Sequence, residues 1–394
     1  MKINGLPNGT KAKITISGNG QTKSLDAAQK VSLGTGTYDV KAEVVTSADE
    51  IVRTVFKPGA PSQSVKVCND TNVEVTYVAI ESSGKLWMSN ANGTALDLGY
   101  ASSALGASSS PAATIAAQGK AGGGIAFDAD GNLWGVAPTV SDPDVARIPA
   151  ASLGTSGAKT SDRSVHIKGT GCSPANHSVA FDNKGNLWVS QPCEKRIVRL
   201  TPTDLVSSAA EIDPAVVIGG FDAPKGIAFD ASGNLWVADG VVSRFNASRL
   251  GASTSDAPDG SLNINDESSP FSEYVAFDKN GDLWAVGGTV YNLARVAKAD
   301  LTATGVTTPT AAVKISVDVG ALPENVAFDE SGGLWIATGA GKFARLSPTQ
   351  LTVSTTDADP TIPERVFSSA DVGSAGSMAF YPAPAGLPLF SAVP

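Results

Sequence analysis

One order of apolar and polar residues recurs along most of this chain. Five segments contain Ala-Phe-Asp, two variable residues, Gly, one further residue, Leu-Trp and a second apolar run, and they begin at Gly124, Ser178, Gly226, Tyr274 and Asn325. A sixth segment, YVAIESSGKLWMSN from Tyr77, has Ile80 and Glu81 in place of Phe and Asp. Every tryptophan of the protein occupies one position of this unit: Trp87, Trp134, Trp188, Trp236, Trp284 and Trp335. Such regularity indicates one structural unit used repeatedly.

Each unit has the pattern of a small antiparallel sheet. The run ending in Phe-Asp and the run beginning with Leu-Trp predict two short strands, and the Asp-x-x-Gly-Asn sequence between them favours a tight turn. Looser apolar stretches such as PAVVIGG supply a fourth strand. The third strand is predicted at a recurring sequence of Arg, an apolar residue, four variable residues and Leu. This sequence begins at Arg147, Arg199, Arg244, Arg295 and Arg345. Four strands in each repeat of 47 to 54 residues predict β-propeller blades, six in number, with seven as the alternative.

The two ends of the chain depart from this unit. The segment SMAFYPAPAGLPLF from Ser377 has the first strand but no Trp, which predicts a closing strand that returns to the first blade and protects its edge. Residues 1–76 lack the repeat and alternate apolar with polar positions, as at Ala12, Ile14 and Ile16, which favours a small antiparallel sandwich. The predicted fold is therefore all-β, with a β-sandwich at 1–76 and a propeller at 77–394.

The repeat resembles that of the NHL-like propellers and of their streptogramin-lyase-like and gluconolactonase-like relatives over residues 77–390. In these families, units of the form G-I-A-x-D-x-x-G-N-L-W-V recur blade by blade. The resemblance implies a propeller, but one such fold hosts many activities. The sequence LGTGTYDVKAEV, within the first 76 residues, resembles the immunoglobulin-like modules of bacterial surface proteins.

Composition narrows the classes of partner. Charged residues make up 17% of the chain, the net charge is −9 and no basic cluster occurs, which argues against nucleic acid and anionic membranes as partners. Apolar residues reach 42%, enough for a sizeable core. No run approaches the roughly 18 apolar residues of a membrane-spanning helix. The N-terminal sequence MKINGLPNGT lacks the apolar segment of a signal peptide. A mature secreted domain behind a start Met would begin in the same way, and we expect such a secreted or cell-surface domain.

Two of the three cysteines are predicted to form a disulfide. Cys172 and Cys193 flank the hairpin of one repeat. In an antiparallel hairpin the residue numbers of opposite positions have a constant sum, and the sum for the two cysteines is close to that for the paired residues Phe181 and Leu187. They should therefore lie opposite each other just beyond the strand ends, which indicates a bridge and an oxidising compartment. The alternative is two unrelated buried thiols. Cys68 is expected to be a small apolar filler of the sandwich.

The repeated charged residues have a functional and a structural interpretation. Turns such as DADGN begin like a calcium-binding EF-hand loop, but the downstream glutamate is missing, so capping of the turn amides is favoured. The five repeat arginines could bind an anion. Ion pairs within each blade are favoured instead, because an acidic residue occupies the same register. These acidic residues are Asp128, Asp182, Asp230, Asp278 and Asp329.

Catalytic motifs are scarce. His166 and His177 are the only histidines, and signatures of serine hydrolases, zinc proteases and phosphate-binding loops are absent. The resemblance to streptogramin lyases would imply a His-x-Glu-x-x-His arrangement in the last blades. No such arrangement is present, and the last two blades contain no His. This pattern counts against lyase activity.

One repeat position carries candidate binding residues. Four residues before the repeat Phe, where each innermost strand begins beside the central channel, the chain has Thr76, Gly123, His177, Lys225, Glu273 and Glu324. The resemblance to gluconolactonase-like propellers implies that Glu273 and Glu324, with His177, could bind Ca²⁺ or Mg²⁺. The alternative is an ion pair between Lys225 and a glutamate in a solvated funnel. Asp239 is predicted to lie at the same rim.

These observations favour an extracellular or cell-surface binding or scaffold protein over an enzyme, with a protein or carbohydrate as the ligand of its propeller. The first alternative is a metal-dependent lactonase-like or lyase-like enzyme acting at the channel. The second is a structural subunit of a surface layer or filament, in which the sandwich mediates self-assembly. Neither nucleic acid nor a membrane-spanning segment is expected, and Ca²⁺ or Mg²⁺ is the only cofactor considered.

Overall fold

The computed structural model describes most of the 394 residues of the chain. The described ranges are 1–7, 9–48, 53–82, 85–90, 96–101, 105, 113–117, 123–137, 144–172, 177–264, 273–287, 292–302, 304–339, 341–368 and 375–381. The chain divides into two compact units, Met1–Gly84 and Lys85–Pro394. Within the described ranges both units are built of β-strands, and the helices are short 3-10 segments at Ala150–Ser152, Ala247–Arg249, Lys298–Thr302 and Gln350–Thr352. The all-β prediction is confirmed. No helix of the described part has the length and apolar character needed to cross a membrane.

The first unit is a sandwich of two four-stranded sheets. Its strands are β1 (Lys2–Asn4), β2 (Ile14–Gly18), β3 (Gln21–Leu25), β4 (Gly36–Ala42), β5 (Val45–Ala48), β6 (Arg53–Pro58), β7 (Ser62–Val67) and β8 (Glu74–Ser82). One sheet has the order β1-β8-β6-β5 and the other β3-β2-β4-β7. Alternate residues of β4, Tyr38 and Val40, are buried against Phe56 and Val75 of the other sheet, so both sheets share one apolar core.

Two details of the first unit differ from the sequence prediction. β8 continues through Ser82 as a partner of β6, and the unit therefore extends to Gly84 instead of ending at residue 76. Tyr77 and the three residues after it belong to this sheet and do not form the innermost strand of a blade. Cys68 is exposed and does not fill the core, because it follows β7 at the edge of its sheet.

The second unit contains six sheets within the described residues. Its strands are β9 (Lys85–Asn90), β10 (Leu96–Ala101), β11 (Ala113–Ala117), β12 (Ile125–Phe127), β13 (Leu133–Val136), β14 (Val145–Ile148), β15 (Gly157–Lys159), β16 (Arg163–Ile167), β17 (Val179–Phe181), β18 (Leu187–Gln191), β19 (Arg196–Leu200), β20 (Ala209–Ile212), β21 (Val216–Gly219), β22 (Ile227–Phe229), β23 (Leu235–Asp239), β24 (Val241–Phe245), β25 (Gly260–Leu262), β26 (Tyr274–Phe277), β27 (Leu283–Val286), β28 (Leu293–Val296), β29 (Gly305–Thr307), β30 (Val313–Ile315), β31 (Pro323–Phe328), β32 (Leu334–Thr338), β33 (Lys342–Leu346), β34 (Arg365–Ser368) and β35 (Ala375–Tyr381).

These sheets surround a central channel. From the innermost strand outward they are β35-β9-β10-β11-β15, β12-β13-β14-β16-β20, β17-β18-β19-β21, β22-β23-β24-β25-β29, β26-β27-β28-β30 and β31-β32-β33-β34. The innermost strands contact one another in a closed ring, in the order β35, β12, β17, β22, β26, β31 and back to β35. This arrangement is a β-propeller. β35 comes from the C-terminal segment and pairs with β9, with Ala379 opposite Trp87, which is the closure that the sequence predicts.

The repeat tryptophans hold neighbouring sheets together. All six are buried, with at most 2% of each residue exposed. Each indole packs against the repeat Phe of the following sheet, with ring centroids 5.9 to 6.3 Å apart. The last such pair, Trp335 with Phe380, joins the sixth sheet to the closing strand. Aromatic packing of this kind contributes large apolar areas at every interface between sheets.

The repeat aspartates bind the tryptophans of their own repeats. Each Asp accepts a hydrogen bond of 2.8 to 3.2 Å from the indole Nε1 of the Trp six residues later, and others from the backbone of its own turn. Four arginines lie over the Trp rings with Cζ 5.7 to 6.0 Å from the centroid: Arg147, Arg199, Arg244 and Arg295. The prediction that the arginine pairs with the repeat aspartate in every blade is therefore wrong, although Arg147 and Arg295 form ion pairs with other aspartates, Asp162 and Asp282.

The sixth sheet is the exception among the described repeats, and it has a local cause. There Arg345 Nε lies 2.6 Å from Asp329 Oδ2, and the arginine side chain is only 3% exposed. In other turns the corresponding position holds Asn or Asp, and Asn132, for example, donates its amide to the repeat aspartate. Here it is Gly333, where an added Cβ atom would lie 2.4 Å from Arg345 Nη2. The missing side chain leaves the room that the guanidinium occupies.

The predicted disulfide between Cys172 and Cys193 is confirmed, with Cα atoms 5.8 Å apart. Cys172 lies in the connection that leads toward β17, and Cys193 lies in the turn between β18 and β19. Glu194 Oε1 accepts hydrogen bonds from the backbone amides of Gly171 and Cys172 at 2.8 and 3.1 Å. The bridge therefore joins two connections at the end of the sheet where β17 begins.

Candidate functional site

The residues at or just before the start of the innermost strands lie at one end of the channel, which we call the channel mouth. The backbone N–H of His177 bonds to Ser190 O at 3.0 Å, that of Lys225 to Ala238 O at 2.9 Å and that of Glu273 to Val286 O at 3.0 Å. These bonds extend the pairing of each innermost strand with its neighbour. The backbone at the channel mouth is therefore fixed by the sheets themselves.

In the first sheet, the residue at the channel mouth is not the predicted Thr76. Thr76 lies in β8 of the first unit, where it pairs with Asn4, and it does not precede an innermost strand. β35 supplies the innermost strand of that sheet instead, so the equivalent residue is Gly376. With Gly123 in the second sheet, two neighbouring positions of the channel mouth have no side chain. The chemical groups are confined to the other four: His177, Lys225, Glu273 and Glu324.

Lys225 and Glu273 form an ion pair across two adjacent sheets. Lys225 Nζ lies 2.5 Å from Glu273 Oε1, and the two side chains are 32% and 35% exposed. The pair is therefore partly screened by water, and its contribution to stability is modest. This contact is the alternative that the sequence left open beside a metal.

Glu324 lies next to this pair in the following sheet. Burial raises the pKa of its carboxyl, the neighbouring carboxylate of Glu273 raises it further, and Lys225 lowers it. A Cβ atom added to Gly339 would lie 2.4 Å from Glu324 Oε1, so the carboxyl group rests against bare backbone on one side. The Glu324 residue is nevertheless exposed to solvent, and its carboxyl takes up a proton more readily than an isolated glutamate.

His177 is kept in its neutral form. Burial lowers the pKa of the imidazole to about 4, and Lys225 lowers it as well, whereas Glu273 acts in the opposite direction. Its Nδ1 atom is buried and has no hydrogen-bond partner among the described residues. Since buried polar atoms are nearly always bonded, this nitrogen is an unusual feature that calls for a partner.

A second layer of polar groups lies one residue further along the innermost strands. The phenol of Tyr274 faces the side chains of Ser178, two sheets away, and Asn325, one sheet away, so it reaches into the channel. Gly226 in the intervening sheet makes this possible, because a Cβ atom there would lie 2.6 Å from the Tyr274 ring. Burial raises the pKa of this phenol more than the neighbouring side chains lower it.

The motifs of the sequence do not mark this layer as part of the site. The residue three before the repeat Phe varies between Gly, Ser, Tyr and Asn, and that variation at an otherwise regular position was the available signal. Asn325 also accepts a hydrogen bond from the Met378 N–H at 3.1 Å, which links it to the closing strand. Tyr274 and its neighbours therefore form a polar floor beneath the channel mouth.

Asp239, the remaining predicted rim residue, stabilises the backbone that precedes Lys225. Its carboxylate accepts hydrogen bonds from the backbone amides of Asp222 at 3.0 Å and Ala223 at 2.6 Å. These amides belong to the loop that leads to Lys225. Asp239 thus holds the chain before Lys225, and its carboxylate oxygens are used within the protein.

The carboxylates of the channel mouth do not form a metal centre of the predicted kind. Within the described ranges, no group of three or more His, Cys, Asp or Glu side chains is arranged to hold a metal ion. Glu273 is directed to Lys225, whose ammonium group already supplies the positive charge. Ca²⁺ prefers six to eight oxygen ligands, and this donor set does not fit that requirement.

The channel mouth therefore combines an ion pair, a neutral imidazole and an exposed carboxyl group above a phenol. These groups can accept and donate hydrogen bonds to a small polar molecule. They can also exchange protons with it, because the pKa of His177 is lowered and that of Glu324 is raised.

Comparison with known proteins yields similar solved structures at low identity. No family model and no curated protein matches the sequence. A streptogramin B lyase structure is 15% identical over 76% of this chain and 87% of its own, with a TM-score of 0.42. Virginiamycin B lyase from Staphylococcus aureus is 13% identical over 57% of this chain and 66% of its own, with a TM-score of 0.37. A putative gluconolactonase is 17% identical over 55% and 70%, with a TM-score of 0.37. Such identities transfer no activity, and the propeller assignment rests on the strands and sheets above.

Proposed function

We propose that this protein is an extracellular or cell-surface binding protein whose propeller holds a small polar ligand at the channel mouth. The observation that carries the proposal is the one-sided distribution of groups around the channel: four adjacent positions bear His177, Lys225, Glu273 and Glu324, and two bear glycine. A ligand can lie over the two glycine positions and be bound by the side chains at the other four. Concave sites with a few convergent polar groups are the usual form of small-molecule sites.

The disulfide supports the proposed extracellular or cell-surface location. A bridge between Cys172 and Cys193 persists in oxidising surroundings and is rare in the cytosol. The acidic balance of the chain, with a net charge of −9, is consistent with a protein that avoids nucleic acid and anionic membranes.

Nuclear magnetic resonance of the two imidazoles provides the test. Polyols, amines, carboxylates and short peptides are titrated separately into the protein while the resonances of His177 and His166 are followed. A ligand of the channel mouth shifts the His177 signals and leaves those of His166, which lies in β16, unchanged. If no class of compound perturbs His177 selectively, the proposed binding function is wrong.

A second candidate is an enzyme that works by proton transfer at the same place. The observation that favours it is the opposite direction of two pKa shifts, since an imidazole that stays neutral can accept a proton and a carboxyl of raised pKa holds one more readily. Simple lactones are suitable substrates for the test, with acid release as the measurement. Hydrolysis that is lost in His177→Asn and in Glu324→Gln supports catalysis. Equal rates in all three proteins and in buffer alone exclude it for this substrate class.

A further inference from the structure

The disulfide of the third sheet lies beside a carboxylate. Glu194 follows Cys193 directly in the turn between β18 and β19, and its Oε1 atom is 3.3 Å from Cys172 Sγ. Two backbone amides hold this oxygen in place, since the N–H groups of Gly171 and Cys172 bond to it at 2.8 and 3.1 Å. The second oxygen, Oε2, is buried without a hydrogen-bond partner among the described residues. The negative charge is therefore fixed against the bridge.

The cations that follow Glu194 in the chain are directed elsewhere. Lys195 is exposed to solvent. The guanidinium group of Arg196 donates hydrogen bonds to Gln191 Oε1 at 2.7 Å and to Lys168 O at 2.9 Å, and it interacts with Glu194 only at longer range. Within the described ranges, no basic side chain forms an ion pair with Glu194. The charge nearest to the sulfur atoms is thus negative.

The bridge is open to attack by thiols. Cys172 and Cys193 are both partly exposed, and exposed disulfides exchange more readily than buried ones. An attacking thiolate forms a new bond with one cysteine sulfur, the bond between Cys172 and Cys193 breaks, and its electron pair leaves on the other sulfur, which then takes a proton from water. One disulfide replaces another, so no oxidant is needed. The exposed free thiol of Cys68 makes every copy of this chain a source of such an attacking group.

We infer that Glu194 protects the disulfide from thiol–disulfide exchange by repelling the attacking thiolate. In the transition state one negative charge is shared by three sulfur atoms, so a carboxylate 3.3 Å from Cys172 Sγ opposes attack on either cysteine. The expected slowing is at least about fivefold, which corresponds to the repulsion of about 1 kcal/mol between two unit charges ~4 Å apart in water. The bridge that is protected joins both ends of the hairpin β17–β18, which follows His177 at the channel mouth. The inference is independent of the proposed binding function.

Small thiols that differ in charge test this inference. Cysteamine, mercaptoethanol and mercaptopropionate carry a positive, a neutral and a negative group beside the thiol. Each reacts with the Cys68→Ser protein, in which the bridge holds the only sulfur atoms that exchange, and mass spectrometry after alkylation follows the mixed disulfide. Rates are expressed per thiolate at about 0.15 M salt, where charges more than about 8 Å away are largely screened. We expect cysteamine to react fastest and mercaptopropionate slowest.

A variant without the charge provides the decisive comparison. In the same background, Glu194→Gln keeps a side-chain oxygen for the amides of Gly171 and Cys172. It should speed exchange with mercaptoethanol at least about fivefold, with a larger effect on mercaptopropionate and a smaller one on cysteamine. Asp300→Asn removes a charge from an exposed position of the 3-10 helix Lys298–Thr302 and should leave all three rates unchanged.

Two results would overturn the inference. Wild-type rates in Glu194→Gln would mean that the carboxylate has no effect on exchange. An equal increase for all three thiols would mean that the substitution only loosens the turn. The ratio of the mercaptopropionate rate to the cysteamine rate does not depend on how often the turn opens, so it remains decisive even if the variant is less stable.

Discussion

Lowering the pH should destabilise this protein through a single histidine. Burial and the charge of Lys225 lower the pKa of His177 to about 4 in the folded state, compared with the ordinary value of 6.5. Between these two values the unfolded chain binds a proton that the folded protein does not bind. The free energy of unfolding therefore falls as the pH decreases from 6.5 to 4, and the loss is complete below the folded pKa.

The size of the effect follows from the difference between the two pKa values. The folded value of about 4 lies two to three pH units below 6.5. At roughly 1.4 kcal/mol per unit, full protonation costs about 3 kcal/mol. The raised pKa of Glu324 acts with the opposite sign, because protonation of that carboxyl favours the folded state. A variant that changes only the histidine is therefore needed to isolate its contribution.

Urea unfolding of the wild type and of His177→Asn at pH 7.5 and pH 4.5 supplies that comparison. The difference in unfolding free energy between the two proteins should change by about 2 to 3 kcal/mol between these pH values, with the wild type losing more. His166→Asn is the matched control and should behave like the wild type. The explanation is refuted if the His177 imidazole titrates near 6.5 in the folded protein, or if the variant and the wild type lose the same stability in acid.

Three other predictions concern the framework of the propeller. Trp236→Ala should lower the unfolding free energy by roughly 3–5 kcal/mol, because it empties a buried interface between two sheets, and a neutral effect in thermal unfolding would contradict the core assignment. Gly333→Asn should displace Arg345 from its carboxylate partner and cost about 3 kcal/mol in urea unfolding, as expected when a buried ion pair is broken. Unchanged stability would show that the arginine has other room. Thiol titration of the denatured, unreduced protein should find one thiol, and three would mean that Cys172 and Cys193 are not bonded.

The amino-acid sequence by itself determined the repeated parts of this protein. The order of apolar and polar residues in each unit encodes strands and turns locally, and hence the all-β class, the propeller and the buried ring of tryptophans could be predicted from it. The disulfide could be predicted for the same reason, since residue numbers on the two arms of a hairpin identify opposite positions. The position of His177, Lys225, Glu273 and Glu324 at or just before the start of the innermost strands also follows from the register of the repeat.

The tertiary structure decided which side chain meets which. Tyr77 and the residues after it match the repeat, yet they pair within the sandwich, because β6 offers a partner and β35 supplies the first sheet with its innermost strand. Whether Arg345 reaches Asp329 depends on the space left by Gly333, which the sequence displays only as a missing side chain. The unpaired nitrogen of His177 and the phenol of Tyr274 depend on contacts between sheets that are far apart in the chain. Such contacts are fixed by packing around the closed ring, and local patterns carry no information about them.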